Sequence, residues 1–125
     1  MDIGQKIKAF SMLGAFMGQF QLEKPEKDVQ LSRLNSQFYD ECQNQISLAE
    51  IHNPWFTRVF IREALGGLSS MLEKNKLEQW ASAYPALTKE STEPMKTIGT
   101  ILAGNIPMVG FHDFLCTLVS GNRFL

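Results

Sequence analysis

The run Thr97-Ile98-Gly99-Thr100-Ile101-Leu102-Ala103-Gly104-Asn105-Ile106-Pro107 constrains this chain more than any other segment. From Thr97 to Ala103 it carries no charge, is rich in β-branched residues and shows no polar face. That is the pattern of a parallel-sheet strand covered on both sides. Gly104-Asn105 predicts a turn, since Asn tolerates left-handed backbone angles and Gly adopts them freely. Pro107 suits a first helical position, because its ring presets φ and its missing N–H is one that no helix bonds internally. A strand that turns directly into a helix puts Asn105 at the carboxyl edge of an α/β sheet, where such sheets hold their ligands.

One apolar strand cannot bury itself. It needs neighbours for its backbone and layers over both faces. From Thr97 to Leu125 only Asp113 and Arg123 are formally charged, so this stretch is expected to be covered. After a helix whose Phe111, Phe114, Leu115, Leu118 and Val119 are apolar over much of its circumference, Gly121 stops the helix and Asn122 to Leu125 reads as the start of another strand. The expectation is an N-terminal piece of a longer α/β protein, divided into a helical region (1–92) and the start of a nucleotide-binding domain (93–125).

Upstream, Ile3, Ile7, Phe10, Leu13, Met17 and Phe20 recur at helical spacing, predicting an amphipathic helix over 3–20. Leu31, Leu34, Phe38 and Cys42 predict a second helix from about Asp28 toward Gln45. Asn53-Pro54 breaks the chain, and Thr57 is placed to cap a third helix carrying Ile61, Leu65, Leu68 and Leu72. Asn75 is the expected cap of a short fourth helix with Leu77, Trp80 and Ala81, and 85–94 reads as a turn-rich connector.

The net charge of -1 gives no general attraction to nucleic acid or acidic membranes. No apolar run approaches the ~20 residues that span a bilayer. Lys6 and Lys8 precede an apolar stretch, but Asp2, the polar interruptions and the lack of an A-x-A-like site argue against a secretory signal. Two cysteines, Cys42 and Cys116, have neither metal spacing nor a disulfide framework around them, which fits a reducing cytoplasm.

Several of these residues resemble a known family. Glu93-Pro94, Gly99, Asn105 with Pro107 two residues on, and Ser120-Gly121-Asn122 resemble the first strand, turn and helix of the aldehyde dehydrogenase superfamily. Within it, the run from Ala103-Gly104-Asn105-Ile106-Pro107 through Met108-Val109-Gly110-Phe111-His112-Asp113-Phe114-Leu115 is most similar to the fatty acyl-CoA reductases of the Lux type, as is Asn53-Pro54-Trp55-Phe56-Thr57. Most aldehyde dehydrogenases carry Pro-Trp before this Asn. Here the pair is Ala103-Gly104, which favours the acyl-CoA reductase branch.

The resemblance implies an aldehyde dehydrogenase-like α/β parent fold that reduces a fatty acyl-CoA to the aldehyde with NADPH. It implies Asn105 as the amide donor to the oxyanion formed when a cysteine adds to the thioester, a task suited to a neutral donor. Leu102, Ala103 and Gly104 would lie beside the nicotinamide end of the cofactor. The nucleophile would lie far downstream, the partners would be the acyl-CoA and the remainder of the enzyme, and a homo-oligomer is compatible with it.

Plainer roles stand beside these. Asn105 and Gly104 also serve as turn residues, and Trp55-Phe56 reads as an anchor onto the helical layer before it reads as a ligand platform. His112 and Cys116 lie four apart on one helix face. The expectation there is a buried, inert cysteine, since a mid-helix thiol lacks the activating helix N-terminus. The rival to the enzyme is a self-contained α-helical interaction module whose terminal strand pairs with a partner or with a second copy by edge addition.

Overall fold

Asp2 starts the first helix through a reciprocal pair of bonds. Its carboxylate accepts from the Gln5 N–H (2.8 Å), and the Gln5 side chain accepts from the Asp2 N–H (3.0 Å). The structure, a computed structural model, describes residues 1–89 and 94–125. It holds six α-helices and a two-stranded sheet among those residues. The expected division at 92/93, and Glu93 with it, lies outside them.

Helix α1 (Ile3–Gly18) is the hub, with Ile7, Phe10 and Met17 buried as its rhythm predicts and Phe16, outside that rhythm, buried as well. It packs most extensively on α4 (Arg58–Met71), which is capped as expected by the Thr57 hydroxyl accepting from the Phe60 N–H. The two helices meet through small residues. An added Cβ at Gly14 would lie 2.6 Å from Leu72 Cβ, so the absence of a side chain there sets the closeness of the pair.

The second predicted helix is interrupted. Asp28 caps a 3-10 turn (Val29–Leu31), α2 (Ser32–Leu34) follows, and a π-helical turn (Asn35–Tyr39) leads into α3 (Asp40–His52). A π turn takes an extra residue per hydrogen-bonded turn and so shifts the inward face by about one position. Phe38, expected on the apolar face, is therefore 53% exposed, while Tyr39 is 8% exposed with its ring 4.8 Å from that of Phe20.

The same shift turns Asn35 inward to Gln19. The two side-chain amides bond each other both ways, at 2.9 and 3.0 Å, and the Asp28 N–H donates to Gln19 Oε1 at 2.7 Å. Among the described residues no buried side-chain polar atom lacks a partner. A satisfied amide pair locks the end of α1 to the following connector at little cost in desolvation.

Helix α5 (Lys74–Ser82) begins two residues earlier than expected. Glu73 occupies the cap position and Asn75 lies within the first turn, where the Leu77 N–H bonds the Glu73 carbonyl (3.0 Å). Trp55, expected as an anchor, is 65% exposed; Phe56 alone packs against the core. Part of the connector after α5 is a 3-10 turn, Pro85–Thr88.

Helix α6 (Phe111–Val119) shares the core of α1, with Phe10 and Phe114 edge to face at 6.0 Å. Its end is doubly closed. Gly121, at φ 85°, lets the Asn122 and Gly121 N–H groups donate back to Thr117 and Leu118, and Lys6 Nζ donates to the Val119 carbonyl at 2.9 Å. The chain then runs into β2 (Arg123–Phe124), which pairs in parallel with β1 (Thr97–Ile98), Thr97 opposite Arg123. The strand opening expected at Asn122 is thus present.

Candidate functional site around Asn105

Strand β1 is shorter and barer than its composition predicts. Its ladder is made by the Arg123, Leu125 and Thr100 N–H groups, which bond the Lys96, Ile98 and Leu125 carbonyls at 2.8 Å each. Beyond Thr100 no described strand pairs with the segment. A sheet of two short strands neither extends the ladder to Ala103 nor covers two faces. Ile101, Leu102 and Ala103 are consequently exposed, where burial was expected.

The helix does not begin at Pro107 either. Met108 adopts φ 59°, in the left-handed region that ends helical geometry, and the chain turns through 107–110 before α6 starts at Phe111. Non-glycine residues in this region store strain, and such strain concentrates where a loop is held for a purpose. Leu102 folds back over Gly110, which is buried, and an added Cβ there would require the half-exposed Leu102 side chain to shift.

Asn105 therefore lies exposed on a loop at the carboxyl end of β1 and before α6. Leu102 and Ala103 border an apolar groove of about 340 Å³ next to it, with Phe56, Ile106, Phe111, Phe114 and Phe124 among the other walls. A Cβ at Gly104 would meet nothing, so a flat group can approach the backbone there. The arrangement offers a neutral donor at the rim of an apolar trough.

Comparison with family models, with curated proteins and with solved structures finds no match to this chain. The site is read from its own chemistry.

His112 and Cys116 do come together, with Cys116 Sγ 3.7 Å from His112 Nδ1. The thiol is half-buried, less covered than expected. Burial and, second, the Asp113 carboxylate push its pKa above the ordinary thiol value, the opposite of activation. Cys42 is raised likewise by burial. No group of three or more metal-ligating side chains occurs among the described residues.

One site residue escaped the sequence reading. Asn53, taken as part of a chain break, donates its side-chain amide to the Gly104 carbonyl at 2.7 Å across 51 positions of sequence. The local signal was present, since Asn before Pro commonly bonds its own backbone. Nothing local names the distant acceptor.

Proposed function

We propose that this chain is the N-terminal segment of a cytoplasmic, NADPH-dependent fatty acyl-CoA reductase, with Asn105 as the oxyanion donor. The observation that carries the reading is the strand-helix-strand unit. β1 and β2 are parallel, α6 joins them, and the Gly104-Asn105 loop stands exposed at the carboxyl end of β1. Open α/β sheets bind ligands at that end. Two strands are too few for an independent sheet, which agrees with further strands being supplied by the rest of a larger protein.

In this reading a cysteine thiolate of the remainder attacks the thioester carbonyl. The developing O⁻ accepts a hydrogen bond from Asn105 Nδ2, and CoA leaves as its thiolate to give an acyl-enzyme. When bound, NADPH would supply the hydride that takes the acyl group to the aldehyde, with Asn105 again donating to the oxygen that carries the charge and the cysteine departing as its thiolate. The exposed backbone of Leu102, Ala103 and Gly104 suits the apolar face of a nicotinamide ring. Neither Cys42 nor Cys116, both with raised pKa, suits the nucleophile.

The test is Asn105→Ala in the full-length protein, assayed in single turnover with palmitoyl-CoA and NADPH. Removing one oxyanion donor lowers acylation and reduction by ~100- to 1000-fold while the fold survives. Substrate binding changes less, because the bond strengthens as charge develops on the oxygen. Near-normal rates in a folded variant leave Asn105 a turn residue and remove the reading.

A second reading, an interaction module, draws on the open edges of the β1–β2 pair and the exposed side chains of Ile101, Leu102 and Ile106. It requires the full-length protein to lack acyl-CoA reduction altogether.

A further inference from the structure

We infer that Asn53 is a positioning residue for the Asn105 loop. This rests on the reductase reading above for its catalytic consequence, and on geometry alone for the clamp itself.

Asn53 is held on every side. It follows α3 in an extended conformation (φ -144°, ψ 106°), as the residue before a proline must avoid the helical region. Its backbone N–H donates to the Ala49 carbonyl and its carbonyl accepts from the Phe56 N–H, both at 2.8 Å. The side-chain oxygen accepts from the Trp55 N–H at 3.1 Å, closing a tight turn over Pro54. With that oxygen engaged, the amide NH₂ is the group left to reach outward, and it donates to Gly104 at 2.7 Å. The partners also fix which end is which, because an N–H requires the oxygen and a carbonyl requires the NH₂.

The acceptor is the carbonyl of the peptide that joins Gly104 to Asn105. A peptide unit is planar, so pinning its oxygen fixes the plane and the direction in which Asn105 departs from it. The segment needs such a pin. It pairs with no described strand beyond Thr100, it is exposed, and Gly104 and Gly99 leave its backbone loose. Asn53 thus ties the mobile-by-composition loop to the end of α3, part of the packed helical layer.

Two substitutions in the full-length protein separate this role from the local turn. Asn53→Ala removes both side-chain bonds. Asn53→Asp keeps the acceptor for Trp55, hence the turn, and replaces the donor to Gly104 with a carboxylate oxygen that the Gly104 carbonyl repels. Both variants are expected to lower kcat for palmitoyl-CoA with NADPH by ~10- to 100-fold, the scale of a misplacement near 1 Å. KM should move by no more than about threefold, because ground-state binding does not use the oxyanion donor. Hydrogen exchange in peptides covering 99–107 should quicken in both variants. Adding Asn105→Ala to Asn53→Asp should lower kcat little beyond Asn105→Ala alone, as for groups acting as one unit.

Wild-type kcat in a folded Asn53→Asp protein, or full additivity with Asn105→Ala, overturns the positioning role while the reductase reading stands. No reduction of palmitoyl-CoA by the wild-type protein overturns that reading and any catalytic part for Asn53 with it. Unchanged exchange at 99–107 in both variants overturns the clamp.

Discussion

A methyl group at position 14 has no room. Built on the backbone, it lies 2.6 Å from Leu72 Cβ and 3.4 Å from the Ser69 carbonyl, against the ~3.5–4.0 Å at which carbon atoms rest. Leu72 is 0% exposed and the obstructing atom is its Cβ, so no rotamer change clears the way. Gly14→Ala must push α1 away from α4, and overpacking of this kind costs ~1–3 kcal/mol. Replacing a mid-helix glycine gives back ~1 kcal/mol of helix propensity. Gly67 supplies the control: it lies in α4 with nothing within 4 Å of an added Cβ, so Gly67→Ala should stabilise by ~0.5–1 kcal/mol. The difference between the two variants cancels propensity and isolates the overpacking, ~1–3 kcal/mol. Gly18→Ala should fall between, since its nearest obstacle at 2.5 Å is the Ser69 hydroxyl, which can rotate. Urea unfolding followed by far-UV circular dichroism, read as midpoints at constant m-value, measures all three. Equal midpoints for Gly14→Ala and Gly67→Ala would show that the helices do not meet at this distance.

Two further outcomes are expected. Gln19→Ala strands the buried Asn35 amide oxygen and the Asp28 N–H, while the Asn35 NH₂ keeps the Asp28 carbonyl, costing ~1–3 kcal/mol; Gln19→Ala/Asn35→Ala should cost less than the sum of the single changes, and additivity in urea unfolding would refute the pair. Both thiols have raised pKa values, so the folded state holds their protons more tightly than the unfolded chain does. Their contribution to stability is whole below the ordinary thiol value of 9.0 and is lost as pH rises through the raised one. Alkylation by iodoacetamide should accordingly have its pH midpoint above that of a free thiol at both cysteines; a midpoint below it at Cys116 would reinstate the His112–Cys116 pair as a nucleophile.

The helices were legible where a local code and the tertiary environment agree. Thr57 with Phe60 is a cap within four residues, and the burial of Ile7, Phe10, Ile61 and Leu65 follows from spacing alone; the Asp2–Gln5 cap, equally local, was passed over. The π turn at Asn35–Tyr39 was not legible in the same way. Its advantage is long-range, the insertion of Asn35 against Gln19 and of Tyr39 against Phe20, and a 3.6-residue period assigns Phe38 to the core instead.

The strand from Thr97 marks the opposite case, in which composition describes an environment that the described residues do not supply. Ile101 and Leu102 are apolar without being covered, because pairing beyond Thr100 would need a neighbour longer than β2. Composition records what a segment is suited to, whereas burial requires a partner. The site divides along the same line. Asn105's place in the chain was read from its own neighbourhood, a strand end, a glycine and a turn, whereas its proposed role came from the family resemblance. Asn53 was passed over, since its local bonds to Trp55 and Ala49 account fully for its sequence signal and conceal that one donor is left for Gly104. A residue whose local demands are met with one polar atom to spare is where a long-range contact should be sought, because that atom is free to reach a distant acceptor.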